Sequence, residues 1–187
     1  MKVLLIDFYD SFTYNIFHYL ESCGVDVHVV EDRAVKIDEV DRFDCIVFSP
    51  GPGLPSETVS MFPVLEKYAE TKKILGICLG MQGIASFYGD ELYNLEKVKH
   101  GVSEIIQVNP KVELFNNLDN NQEVGLYHSW AVRINPNSDL KVTATSNENV
   151  TMALQHKELQ VFGVQFHPES ILTDNGKEML KNFLFVC

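Results

Sequence analysis

Apolar residues in this chain follow two rhythms, and the change between them falls near residue 100. In the first half, short unbroken apolar runs alternate with amphipathic stretches. Val3–Ile6 is such a run, too short for a helix and without polar alternation, so it predicts a strand buried on both faces. A helix is predicted from about Thr13 to Ser22, stopped at Gly24. Val25–Val30 and Cys45–Ser49 read as strands, Val59–Glu70 as a helix, Ile74–Ile77 as a strand and Met81–Tyr88 as a helix. That alternation predicts a mostly parallel sheet wrapped by helices, an α/β class of flavodoxin-like layout. Past residue 100 the segments become short and closely spaced: Ser103–Val108, Val112–Phe115, Val132–Ile134, Lys141–Ser146, Met152–Gln155 and Val161–Phe166. They predict extra antiparallel β structure, with Asn116 to Asn121 as one of the turns. A last helix is expected from about Asn175 to Phe185. No repeat, low-complexity tract or linker interrupts the chain, so one domain over residues 1–187 is expected.

In open sheets of this kind ligands bind beyond the carboxyl ends of the strands. Phe48-Ser49, Ile77-Cys78 and Phe166-His167 are all such ends. Chemistry is therefore expected on that edge. The loop Asp7-Phe8-Tyr9-Asp10 leaves the first strand there too, and its aromatic content suits a partner interface rather than a small substrate.

One strand end carries a nucleophile. Gly76-Ile77-Cys78-Leu79-Gly80 puts a cysteine between two glycines at a strand-to-helix junction, the thiol counterpart of the G-x-S-x-G elbow. A sharp turn drives the central residue toward a strained backbone, and neighbours without Cβ let the chain fold back closely. The sulfur then stands at the amino end of a helix, where partial positive charge favours thiolate. The competing reading is a buried structural cysteine, a common fate of free thiols.

A base follows the last strand. Pro168 pushes His167 toward an extended conformation, and residues two apart on an extended chain project to one side. His167 and Glu169 can therefore point together, the carboxylate fixing the imidazole tautomer. His100 and His128 are expected in loops bordering the site, and rank below His167 because neither has a paired acid. The histidines show no metal-ligand spacing, so no metal and no cofactor is expected.

Gly76–Gly80 with Gln82, Ser49-Pro50-Gly51-Pro52-Gly53, and His167-Pro168-Glu169-Ser170 together resemble the class I glutamine amidotransferases. Asp10–Asn15 and Tyr127-His128-Ser129 resemble more narrowly the branch of glutaminase subunits of anthranilate synthase and aminodeoxychorismate synthase. The resemblance runs the length of the chain. It implies that Cys78 attacks the side-chain amide of L-glutamine and that His167, oriented by Glu169, moves the protons. It implies an oxyanion hole from the N–H groups of Gly53 and Leu79, and substrate contacts from Gly51, Pro52, Gly53, Gln82, Ser129 and Trp130. The partner it implies is a chorismate-binding large subunit, with anthranilate synthase favoured narrowly over aminodeoxychorismate synthase. Read without the family, Gly51–Gly53 is turn punctuation, Gln82 a surface residue, Ser129 a capping hydroxyl and Trp130 a core anchor. Met81 stands where the family commonly has His, and Leu126 where it often has Arg; both are expected near the partner interface.

Composition narrows the classes. A formal net charge of −11, with no basic cluster, argues against a nucleic-acid partner. No apolar run approaches the roughly 20 residues a bilayer needs, and Asp7 ends the first apolar run too early for a signal peptide, so no membrane is expected. Cys23, Cys45, Cys78 and Cys187 form no disulfide spacing, which suits the reducing cytoplasm. Two other classes stay open: a stand-alone cysteine hydrolase of γ-glutamyl or peptide bonds, and a non-catalytic flavodoxin-like module.

Overall fold

The buried runs pair side by side. In the computed structural model, which describes residues 1–187, the elements are β1 (Lys2–Asp7), α1 (Thr13–Ser22), β2 (Asp26–Glu31), β3 (Cys45–Phe48), α2 (Met61–Tyr68), β4 (Lys73–Ile77) and α3 (Leu79–Phe87). There follow β5 (Glu91–Val108), β6 (Asn121–Arg133), β7 (Leu140–Ser146), β8 (Thr151–His156), β9 (Val161–Val164) and α4 (Gly176–Phe185). All nine strands form one sheet in the order β2-β1-β3-β4-β9-β8-β7-β5-β6. Pairs from β2 to β9 are parallel, and pairs from β9 to β6 are antiparallel. β9 joins the halves.

Alternation along the strands sends side chains to two cores. Val3, Leu5, Val47, Leu75 and Ile77 pack with Ile16 and Leu20 of α1 and Leu180 and Phe183 of α4. Leu4, Ile6, Ile46, Phe48 and Ile74 pack on the other face with Met61 and Leu65 of α2 and Met81 and Ile84 of α3. Each large side chain so buried contributes about 1.5–3 kcal/mol.

Several expectations fail for physical reasons. β5 begins at Glu91, not Ser103, and β6 spans Asn121–Arg133 rather than Val132–Ile134. The two pair along most of their length with register shifts between Asn94 and Lys99 and between His100 and Val102. Most of β5 is exposed, so its backbone pairing leaves no apolar signal to read. His100-Gly101 and His128-Ser129 therefore lie in strands, not loops. Val112–Phe115 is not a strand: Glu113–Phe115 is a 3-10 turn, with Leu114 and Phe115 buried and Asn182 Nδ2 donating to the carbonyls of Leu114 and Asn116. α2 starts at Met61 because the buried Asp32 carboxylate accepts from the N–H groups of Val59 and Ser60 and the Ser60 hydroxyl. Met81 and Leu126 are fully buried, so neither faces a partner.

The glycines of the elbow are needed for space. A Cβ on Gly76 would lie 2.5 Å from Gly80 O and 2.6 Å from Met81 N, both backbone atoms. A Cβ on Gly80 would lie 2.7 Å from Phe48 Cβ and 2.8 Å from Phe48 O. Helix α3 can sit on β3 and β4 only without them. Gly76→Ala is therefore expected to cost at least about 2 kcal/mol in urea unfolding, since rigid backbone cannot give way; a loss under about 0.5 kcal/mol would contradict this packing.

Candidate active site

Cys78 follows β4 directly and adopts φ +52°, ψ −102°, a conformation that a non-glycine residue holds at a cost of about 1–3 kcal/mol. Both its backbone groups are tied. Its N–H donates to Val164 O at 2.8 Å, and its carbonyl accepts from Gln82 N–H at 3.0 Å. The strand on one side and the helix on the other thus impose the turn. Cys78 is 6% exposed and lines a cavity of about 410 Å³ with Tyr9, Gly51, Pro52, Tyr127 and His167 among its walls. Larger clefts beside Tyr93 and beside His156 contain no cysteine.

His167 is held as firmly. Its N–H donates to Gly125 O on β6, and its carbonyl accepts from Thr173 Oγ1 at 2.6 Å. Gly125 N–H in turn donates to Thr173 Oγ1. At the far end of the loop, Gly176 of α4 lies against the Pro168 carbonyl so closely that a Cβ would collide with it. The loop is clamped between a strand and a helix. Within it His167 Nδ1 donates to Glu169 Oε1 at 2.7 Å, both side chains being buried. This fixes the Nδ1–H and leaves Nε2 as the ring nitrogen without a hydrogen-bond partner in the protein. Phe12 and Tyr127 pack on the ring at centroid distances of 5.6 and 4.8 Å.

The electrostatics favour an imidazolium. Burial opposes charge on His167, but the neighbouring Cys78 sulfur, together with the hydrogen bond and charge of Glu169, outweighs it and pushes its pKa up to about 10. His128 goes the other way: burial, helped by the charge of His167 and opposed by the Trp130 carbonyl, lowers it. A sulfur that can ionise, an imidazole that can hold its proton and a carboxylate that orients the ring are the parts of a nucleophilic hydrolase.

The other expected residues divide. Gly51 and Pro52 are walls of the cavity; Gly53, at φ +77°, stands just beyond them. Leu79 is the first residue of α3, and its N–H has no acceptor within the helix. Gln82, Ser129 and Trp130 are not among the walls; Gln82 donates to Trp130 O at 3.1 Å and to Gln165 Oε1 at 3.2 Å. Of the loop Asp7–Asp10, expected to face a partner, Tyr9 and Asp10 line the cavity that holds the sulfur, as do Ser11, Phe12 and His100. Gln165 was missed altogether. Its Nε2 lies 3.5 Å from Cys78 Sγ. The signal was present as a polar residue inside the apolar run Val161–Phe166, two positions before His167 and so on the same side.

Residues 4–187 match the family model described as glutamine amidotransferase class-I. A candidate anthranilate synthase component II from Haemophilus influenzae is 41% identical over 187 residues, covering 100% of this chain and 97% of that protein. An aminodeoxychorismate/anthranilate synthase component 2 from Bacillus subtilis is 39% identical over 185 residues, 97% of this chain and 95% of that one. Among solved structures, a candidate GMP synthase subunit from Thermoplasma acidophilum superposes with a TM-score of 0.89 at 26% identity, covering 100% of this chain and 94% of the other.

The raised His167 pKa sets a sign. Stability from its charged form is fully present below about pH 6.5 and is lost as pH rises toward about 10. In Glu169→Gln that loss should begin at lower pH, because one of the groups holding the proton is gone. Ring-nitrogen NMR across the alkaline range, alongside urea midpoints, checks it; an unmoved His167 titration in the variant would contradict the pairing.

Proposed function

The chain belongs to the class I glutamine amidotransferases, and on that premise we propose that residues 1–187 form one glutaminase domain serving a chorismate-using synthase. It is the glutamine amidotransferase subunit of an anthranilate synthase or aminodeoxychorismate synthase. It hydrolyses L-glutamine to glutamate and delivers ammonia to its partner synthase component. Of the two partners we favour anthranilate synthase, with aminodeoxychorismate synthase as the alternative.

One observation carries the residue roles: Cys78, its backbone locked in a strained turn, shares a cavity with a histidine braced by a buried carboxylate. In this reading Cys78 Sγ attacks the amide carbon of glutamine. The developing oxyanion is met by the N–H groups of Leu79 and Gly53, each worth about 3–4 kcal/mol of barrier in comparable sites. The imidazolium of His167 gives its Nε2 proton to the departing ammonia, leaving a γ-glutamyl thioester. The neutral imidazole then takes a proton from water, which releases glutamate and restores the thiolate. Glu169 keeps Nδ1 protonated throughout, so only Nε2 exchanges protons. Gly51 and Pro52 shape the substrate wall. Gln82, Ser129 and Trp130 are assigned to the glutamine site on the family motif, with Gln82 offering the oxygen that its own amide bonds leave free.

The partner assignment draws on the surface near the cavity. Ile171 is 94% exposed, one residue after Ser170, whose hydroxyl bonds the Tyr127 phenol in the cavity wall; exposed Tyr9 stands in that wall too. No helix is long and apolar enough to cross a membrane, and all four cysteines are free, in keeping with the reducing cytoplasm we propose as its compartment. Cys78→Ala should lower glutamine hydrolysis by at least about a thousandfold, measured as glutamate released with the synthase component present. Product identification in that complex, anthranilate or aminodeoxychorismate, decides the partner. Ammonia release by Cys78→Ala at the parental rate would end the proposal.

A further inference from the structure

Taking Cys78 as the nucleophile, we infer that Gln165 is a further catalytic residue, its side-chain amide holding the sulfur as a hydrogen-bond acceptor, with Gln82 as the positioning residue behind it. The inference rests on the polarity of a buried amide chain. Gln165 is fully buried and Gln82 nearly so. Gln165 Nε2 lies 3.5 Å from Cys78 Sγ, Gln165 Oε1 lies 3.2 Å from Gln82 Nε2, and Gln82 Nε2 lies 3.1 Å from Trp130 O.

Amide oxygen and nitrogen can exchange places, so the direction of such a chain has to be argued. Here a backbone carbonyl settles it. Trp130 O can only accept, so the Gln82 group facing it must be the NH2. That NH2 has a second hydrogen, which requires an acceptor in Gln165, and therefore the Gln165 oxygen faces Gln82. Its NH2 is left facing the sulfur. The same Trp130 oxygen accepts from His128 Nδ1 at 2.8 Å, which fixes that ring as the Nδ1–H form. One carbonyl orders two side-chain systems.

The consequence at Cys78 follows from donor counting. A sulfur that receives an N–H from Gln165 keeps its own proton, when it has one, off that side. The interaction is stronger to a thiolate than to a thiol, since hydrogen bonds to ionised groups are roughly twice as strong. Gln165 therefore favours the ionised sulfur and holds its direction. A purely structural role, filling a buried gap and satisfying Gln82, would leave the titration of the sulfur unchanged.

The test follows Cys78 alkylation by iodoacetamide in the full chain, quantified on the Cys78 peptide by mass spectrometry from about pH 5 to about pH 9. Gln165→Met keeps the length and removes the donor; it should raise the alkylation midpoint by about one pH unit, a tenfold smaller thiolate fraction below it. Gln165→Glu should raise it further, by setting a carboxylate against the thiolate. Gln82→Met should shift it in the same direction by less. In the complex with the synthase component, Gln165→Met should lower kcat while leaving KM for glutamine near the parental value. If folded Gln165→Met titrates as the parent does, the inference is overturned. If that variant does not fold, the near-isosteric Gln165→Glu decides in its place, and an unmoved midpoint there overturns it equally. Failure of parental Cys78 to alkylate at any pH would overturn the nucleophile assignment itself, a result read on the parent alone.

Discussion

A non-glycine residue held at φ +52° is the constraint on which the site depends. Such strain persists only where its surroundings over-determine it. Around Cys78 they do: its N–H is bonded to β9 and its carbonyl to the second turn of α3. Gly76 and Gly80 remove the Cβ atoms that would hold α3 away from β3 and β4, and Gly163 of β9 leaves room for Met81, whose Cγ would lie 2.8 Å from an added Cβ. Sheet, helix and turn therefore agree on a single sulfur position. Because β9 also leads into His167, the strand that pins Cys78 delivers the histidine proposed as its base.

How much of this the sequence discloses depends on whether burial left a pattern. α1 was legible to the residue at Thr13–Ser22, because an amphipathic stretch ending in Gly24 at φ +83° has few other solutions. The inner parallel strands β1, β3, β4 and β9 were legible as unbroken apolar runs. The long β5–β6 ribbon was not, since its pairing is made by backbone groups while the exposed side chains of β5 mix Lys, Glu, His and Ser with Val98, Val102 and Ile105, so no face reads as buried. Asp32 illustrates a different blindness. An acidic residue in a polar loop carries no sign that it will be buried and will shorten a helix 27 positions away. In the site, motif residues such as Cys78, His167 and Glu169 stood out by spacing alone. Gln165 did not, because its meaning lies in which amide it faces across the sheet.

The loop after β1 shows why residue type misleads about direction. Phe8 and Tyr9 read as interface aromatics, yet Phe8 is buried and Tyr9 closes one side of the cavity beside Phe12, which packs against both Tyr127 and His167. An aromatic at the carboxyl end of a strand has both options, and the choice is made by what the turn does next. Here the Asp7 carboxylate accepts from Tyr9 N–H, Asp10 N–H and the Thr13 hydroxyl, curling the segment back over the sheet edge. The aromatic enclosure then works on the electrostatics. It keeps water from the imidazole, so the charges of Cys78 and Glu169 act on it at low effective dielectric.

That enclosure raises a problem which the rest of the site resolves. In its ion-paired form the trio of thiolate, imidazolium and carboxylate carries one net negative charge in a buried place, on a protein already at −11. Buried charge without compensation is costly. The compensation visible around it is dipolar: the amino end of α3 beneath Cys78, and the Gln165 amide beside its sulfur. Dipoles stabilise the thiolate without adding a competing base or a mobile cation, and they do not compete with His167 for the transferred proton. A lysine in place of Gln165 would supply more charge but also a second proton donor, and the ammonia formed would then have two acids to meet. In the proposed mechanism a neutral, oriented amide avoids that ambiguity and leaves His167 Nε2 as the one acid for the leaving group.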